Sequence, residues 1–272
     1  MKKRPVLGVL LTFLAALLFG LNASTSKVIM QSGVTPEQMV IFRSFATALI
    51  AGVVVMVRNP NALKVKASEW KFLLSFGIVG VALMQWAYSN AVKNLPVGIA
   101  LLIEYTAIVL VPLASILFFK ARVQRKLWLG VCLVLVGLVV VSQIWRGGLN
   151  PIGVGFAFAA AVFLSVYFIM GERSHNTRDP FSTLFYTMLI ATVFWLFASP
   201  WWQFDVARLS TSLNLSGNLS NFDVPAWWLL IWLGVMGSFA PMALSYVALG
   251  QLSATVVGII STAETVFAFL FG

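Results

Sequence analysis

The sequence predicts an all-α integral membrane protein, an inverted repeat of five helices each (5+5) with the tenth helix absent from this chain. Three observations predict it. Of the 272 residues, 60% are hydrophobic and 10% charged, far from the roughly one-quarter charged of soluble domains. Apolar runs of about 18 residues or more, the length that crosses a bilayer, recur at roughly 6–28, 36–57, 70–91, 97–119, 127–145, 151–171, 181–201, 226–248 and 253–272. The second half of the chain then echoes the first. A shift of 157 residues lays helix three on helix eight and helix four on helix nine without a gap, bringing Gly77 onto Gly234, Gly80 onto Gly237, Ala91 onto Ala248 and Leu95 onto Leu252. A shift of 145 lays helix one on helix six, with Gly8 on Gly153, Phe13 on Phe158, and Ala15 and Ala16 on Ala160 and Ala161. The longer loop between helices seven and eight absorbs the difference. An odd number of helices per repeat sends the second repeat into the membrane from the other side, the arrangement of alternating-access carriers with a site near mid-membrane. The repeats are expected at 1–146 and 147–272, the second truncated to four helices, as in a fragment of a longer protein.

The net charge of +10 is not that of a nucleic-acid binder, because the basic residues sit in short loops between apolar helices, where they set orientation. Assigned alternately, the segments 2–4, 58–71, 120–126 and 173–178 gather most of them on one side, against Lys27, Lys93, Arg146 and Arg208 on the other. The N-terminus is therefore expected to be cytoplasmic, in a plasma membrane of the bacterial inner-membrane type. The opening MKKR and its apolar run resemble a signal peptide, but the run continues past Gly20 without a clear cleavage pattern and is expected to be the first helix. Cys132 is the only cysteine, so no disulfide framework or thiolate metal site can form. There is no HExxH, no glycine-rich phosphate loop and one loop histidine, His175, so neither an enzyme nor a cofactor is expected. The expected partners are a small-molecule substrate, membrane lipid and protons, with no nucleic acid; monomer and homodimer both stay open.

Helix one turns polar after Phe19, with Asn22, Ser24, Thr25, Ser26 and Lys27 following. These groups either satisfy their own backbone or line a cavity, and Asn22, whose amide has donors and acceptors to satisfy, is the better cavity candidate. Helix two opens on Thr35, Pro36 and Glu37, where proline loses no helical hydrogen bond, and carries Arg43, which snorkels outward, pairs with an acid or touches substrate. Helix three has Gly77 and Gly80 for close helix approach, then Gln85, Trp86, Tyr88, Ser89 and Asn90, an interface belt or a polar cavity wall. Helix four begins at Pro96 and holds Glu104 and Tyr105 near its centre; an acid at that depth disfavours insertion by roughly 3 kcal/mol. Pro112 is expected to loosen it. Helix six contributes Ser165 and Tyr167. The loop after helix seven contains two glycosylation-like sequons, Asn214–Ser216 and Asn218–Ser220, of a kind frequent by chance. Helix eight has Pro241 in mid-span, then Ser245 and Tyr246, and helix nine carries the other deep acid, Glu264.

Several of these stretches carry a family resemblance. Phe19-Gly20-Leu21-Asn22 with Lys27, Phe42-Arg43, the Ala91 to Pro96 entry to helix four and Ser261-Thr-Ala-Glu264-Thr-Val-Phe-Ala268 resemble the ten-helix EamA-type branch of the drug/metabolite transporter superfamily. Leu102-Ile-Glu104-Tyr-Thr-Ala107 is similar to the helix-four motif of its threonine and homoserine exporter group. Thr265 and Ile108 depart from the family pattern, standing where proline is usual and removing the rings expected to kink those helices. The resemblance implies a cavity lined by helices one, three, four, six, eight and nine, open to one side at a time, and export of amino acids or related metabolites.

A deep glutamate serves a carrier in either charge state: neutral, it passes a proton; ionised, it holds an ammonium group. Glu104 and Glu264 are the candidate substrate or coupling groups, with Tyr88, Trp86, Tyr167, Tyr246, Asn22, Ser89, Tyr105 and Arg43 as further candidates around the cavity. The bland alternative makes each acid a packing element. Multidrug efflux of lipophilic cations would use the same acids against an aromatic wall, and sugar-phosphate exchange would want more basic residues than Arg43.

Overall fold

The computed structural model describes residues 4–120, 125–142, 148–175, 177–214 and 223–271. Lys2, Lys3, Arg122, Arg146 and most of the two sequons lie outside them. The described chain is nearly all helix: α1 (Pro5–Gln31), α2 (Pro36–Arg58), α3 (Ala67–Asn94), α4 (Val97–Glu104 and Ala107–Phe119), α5 (Arg125–Ser142), α6 (Pro151–Ser174), α7 (Pro180–Ala198), α8 (Ala226–Leu249) and α9 (Ala254–Ser261 and Ala263–Phe271). Seven are long and apolar enough to cross a membrane, and α5 and α9 add shorter apolar segments. The protein is an all-α integral membrane protein. One small departure is an antiparallel pair between α7 and α8, β1 (Ser212–Asn214) with β2 (Asp223–Pro225), whose Leu213 and Val224 pack on the apolar cluster beneath.

The helix ends follow their sequence signals. Proline opens α2, α6 and α7, and Thr35, Asn150 and Asp179 before it accept the first free backbone N–H groups, as capping requires. Helix α1 runs to Gln31, a little farther than the apolar run predicts, and within it the Ser26 hydroxyl donates to the Asn22 carbonyl at 3.1 Å.

The packing follows the repeat. Helix α1 lies against α8 and α9, α6 lies against α3 and α4, and α2 lies against α7. Exchanging the repeats maps this set of neighbours onto itself, as an approximate two-fold axis between the halves would. The close approaches obey the same exchange. A Cβ on Gly8 would come within 2.7 Å of Leu252, and one on Gly153 within 2.7 Å of Leu95, its repeat mate. Likewise a Cβ on Gly77 would meet Ile190 of α7 at 2.7 Å, and one on Gly234 would meet Ala46 of α2 at 2.8 Å. Small residues let these backbones approach, which drives helix association in lipid.

Two irregularities also repeat. Helix α3 widens into a π-helical turn at Phe76–Leu83 and α8 at Val235–Phe239; the 157-residue shift superposes them. Pro241 follows the second and nothing of the kind follows the first, so proline is not what widens both. Helices α4 and α9 break after Glu104 and Ser261, again at one register. The breaks stand without the prolines that the family pattern has nearby and, in α4, well before Pro112. A threonine sits at each break: the Thr106 hydroxyl donates to the Ile103 carbonyl at 2.7 Å and the Thr262 hydroxyl to the Ile259 carbonyl at 2.6 Å. The same carbonyls also accept the backbone N–H of Thr106 and Thr262, at 3.1 and 3.3 Å, so both are tight i to i−3 turns.

Candidate functional site

Where the broken centres of α4 and α9 meet α3, α6 and α8 there is a buried cavity. It measures about 70 Å³ and is lined by Phe19, Arg43, Met84, Gln85, Tyr88, Glu104, Tyr105, Leu164, Tyr167, Phe168, Met242, Ser245, Ser261 and Glu264. At the roughly 10–15 Å³ that a water requires, it has room for several. Every lining helix except α2 was expected from the family resemblance.

Its charges are arranged in a definite way. Arg43 neither snorkels nor pairs with an acid: it is 7% exposed, its Nε donates to Ser238 Oγ at 2.7 Å and its Nη2 to the Gly237 carbonyl at 3.1 Å. Those acceptors belong to the π-helical turn of α8, so the widened turn is what holds the guanidinium inward. Its remaining N–H groups are left for the cavity. Glu264 accepts a hydrogen bond from Tyr105 Oη at 2.6 Å, a tie from α4 to α9 across the repeats. Glu104 is 4% exposed and has no hydrogen-bond partner among the described residues. Arg43, Glu104 and Glu264 lie close enough for each acid to feel the cation, yet no ion pair joins these three; an ion pair of the described residues, Arg178 with Glu69, is largely buried and lies outside this cavity. Gln85 Oε1 and Tyr88 Oη are buried without a partner, whereas buried polar groups are ordinarily hydrogen-bonded. A cation, two carboxyl groups and orphaned polar atoms inside an apolar wall suit a small polar or charged molecule.

The cavity thus brings together Glu104, Glu264, Tyr88, Tyr105, Tyr167 and Arg43 of the sequence candidates. The other four lie elsewhere. Asn22 donates to the Leu18 and Met236 carbonyls at 2.7 and 3.1 Å, tying α1 to α8. Trp86 donates to Glu37 at 2.7 Å and packs on Phe156 and Trp195. Ser89 is buried in α3 outside the lining. Tyr246 is fully buried beside the cavity, its hydroxyl 2.9 Å from Thr187 Oγ1. Gln85, read from the sequence as part of a belt or a polar cavity wall, lines the cavity, while Met242, Ser245 and Ser261 were not among the candidates. The repeat carried the signal: Tyr88 shifted by 157 is Ser245, Gln85 is Met242 and Glu104 is Ser261.

Comparison with known proteins bears on the same architecture. The profile of the EamA-like transporter family matches residues 6–143 and 151–272. A solved crystal structure of a protein superposes with a TM-score of 0.74 at 19% identity, covering 97% of this chain and 86% of that one, which shows a shared fold. No curated protein matches the sequence.

Proposed function

The chain belongs to the EamA-like transporter family, and we propose that it is a secondary transporter of the bacterial inner membrane exporting amino acids or related small metabolites by alternating access between its two inverted repeats. The observation that carries this reading is the central cavity, where the Arg43 guanidinium and the Glu104 carboxyl group line one space without an ion pair between them. An amino acid carries the complementary pair. Its carboxylate suits the guanidinium, which offers several planar donors; its ammonium suits Glu104; its side chain suits Phe19, Met84, Leu164 and Phe168. The likeness of Leu102–Ala107 to the threonine and homoserine exporters puts hydroxylated amino acids first in any panel. Glu264, held by Tyr105, is positioned to couple a proton to the cycle. The basic loops favour a cytoplasmic N-terminus.

Counterflow of a labelled amino-acid panel in proteoliposomes tests the reading. Exchange of a few amino acids, lost in Glu104→Gln, is the expected result. No exchange by folded protein, together with uptake of a lipophilic cation, would replace the reading with multidrug efflux, which the same carboxyl groups and apolar wall would serve.

A further inference from the structure

A second, larger cavity of about 630 Å³ opens at the end of the bundle that carries the N-terminus. It is lined by the end of α2 (Val54, Val55, Arg58, Asn59), the α6–α7 turn (His175, Arg178 to Phe181) and the α8–α9 turn (Val247, Gly250, Gln251). Arg4 reaches the same place, its backbone N–H donating to Gln251 Oε1 at 2.8 Å. The two cavities adjoin along α8: Ser245 lines the central cavity, Val247 lines the mouth, and the intervening residue Tyr246 is fully buried.

Tyr246 does not stand alone. Its ring stacks on Phe76 with centroids 5.8 Å apart at 14°, and meets Tyr167 edge-on at 5.7 Å, while Phe76 and Tyr167 lie 6.0 Å apart. The three rings are in mutual contact, with Tyr167 on the wall of the central cavity and Tyr246 next to Val247 of the mouth. Two hydrogen bonds hold this cluster: the Tyr246 hydroxyl with Thr187 Oγ1 of α7, and the Tyr246 carbonyl with His175 Nε2 from the α6–α7 turn. Nearby, Glu172 Oε2 accepts from the Ala254 N–H at 2.7 Å, so the end of α6 grips both helices of the α8–α9 turn. Phe76 begins the π-helical turn of α3, a type of turn common at functional sites. On the opposite side the repeat places Leu233, Asn22 and Ser89 at the positions that mate with these rings, so the two ends of the cavity differ in chemistry.

We propose that Phe76, Tyr167 and Tyr246 form the gate between the central cavity and the mouth on the N-terminal face, with His175 and Thr187 as its latches. The inference rests on the carrier reading and deepens it: the gate must part for substrate to enter from the cytoplasm and must close while the opposite side is open. Its movable parts are the α8 segment at Tyr246 and the π-helical turn at Phe76, since Tyr167 sits in an uninterrupted helix.

Thiol accessibility tests it without requiring transport. Ser245→Cys in the full chain carrying Cys132→Ala is reacted with a membrane-impermeant maleimide from either face of sealed vesicles. With the rings intact, labelling from the N-terminal face is slow. Adding Phe76→Ala and Tyr246→Ala raises that rate about tenfold or more, the change expected when a minor open state becomes a substantial one, and leaves labelling from the opposite face unchanged. A rate from the N-terminal face that does not move overturns the gate, as does a rise equal from both faces. A second measurement guards against loss of fold: Phe76→Cys with Tyr246→Cys, joined by a short bifunctional thiol reagent, stops counterflow, and release of the link restores it. Counterflow that persists through the link overturns the gate while sparing the carrier. A gate that responds in the labelling assay with no amino-acid exchange fails the substrate reading while sparing the gate.

Discussion

The two halves of the central cavity occupy the same positions in two copies of one scaffold, and they differ in nearly every polar group. Gln85 of α3 faces Met242 of α8, its own repeat mate, with Nε2 and Sδ 3.8 Å apart. Tyr88 answers to Ser245, Tyr105 to Thr262 and Glu104 to Ser261, while Glu264 answers to Ala107. The first repeat supplies the cation, the amide and the unpartnered acid; the second supplies small hydroxyls and the acid already held by Tyr105. The acids also flank their helix breaks from opposite sides, Glu104 ending the first piece of α4 and Glu264 near the start of the second piece of α9. The comparison teaches that symmetry builds the frame, through the glycines, π-helical turns and broken helices, and that the chemistry comes from departures from symmetry.

Breaking the comparison at its chemistry has the largest expected effect. Glu104→Gln lowers counterflow roughly 10–100-fold, the worth of a charge-assisted hydrogen bond at about 1.5–3 kcal/mol, whereas Ser261→Ala at the mate position stays near the parent rate. Equal losses from both would show that the halves act alike. Breaking it at the frame comes next. Gly20→Ala puts a Cβ within 2.9 Å of the Glu264 carbonyl and 3.0 Å of the Ala268 nitrogen, backbone atoms that cannot swing aside, so thermal unfolding in detergent registers a loss of about 1–3 kcal/mol. Gly155→Ala, with nothing within 4 Å, leaves stability unchanged or slightly raised, since alanine favours helix by about 1 kcal/mol over glycine. Tyr105→Phe removes the donor to Glu264 and lowers counterflow roughly 2–10-fold, the worth of one hydrogen bond at about 0.5–1.5 kcal/mol.

The smallest effect is expected at the latch. Burial holds the His175 imidazole below the usual histidine range, opposed by the Tyr246 carbonyl, Asp179 and Glu172, and Arg58 and Arg178 line the same mouth. The fold therefore favours the uncharged ring. Its stability contribution is full above the ordinary value of 6.5 and is lost as pH falls below it, because the unfolded chain then binds the proton more readily. A fall in unfolding temperature between pH 7.5 and pH 5 that His175→Gln reduces is the expected outcome.

Much of the frame was legible in the sequence because lipid forces it: each span must be apolar and about 20 residues long, and the glycines at helix contacts recur in register. Glu104 and Glu264 were legible for the same reason, since an acid in an apolar run opposes insertion and stands out against its neighbours. The helix breaks were not, because the family pattern points to proline and the chain breaks these two helices without one at those positions. Nor was the inward turn of Arg43, which depends on carbonyl and hydroxyl acceptors of α8 far away in sequence. Asn22, Trp86, Ser89 and Tyr246 were placed at the cavity because helices apolar on every side give no stripe from which to tell inner from outer faces. Packing decides that, and the sequence of one helix does not contain its neighbours.

The most direct measurement is carbodiimide labelling of buried carboxyl groups, mapped by mass spectrometry with and without the amino acid that gives counterflow. An adduct on Glu104 that saturating substrate suppresses, with weaker labelling of Glu264 because Tyr105 holds it, is the expected result. Labelling of Glu104 that is indifferent to substrate would contradict its place at the centre of the site.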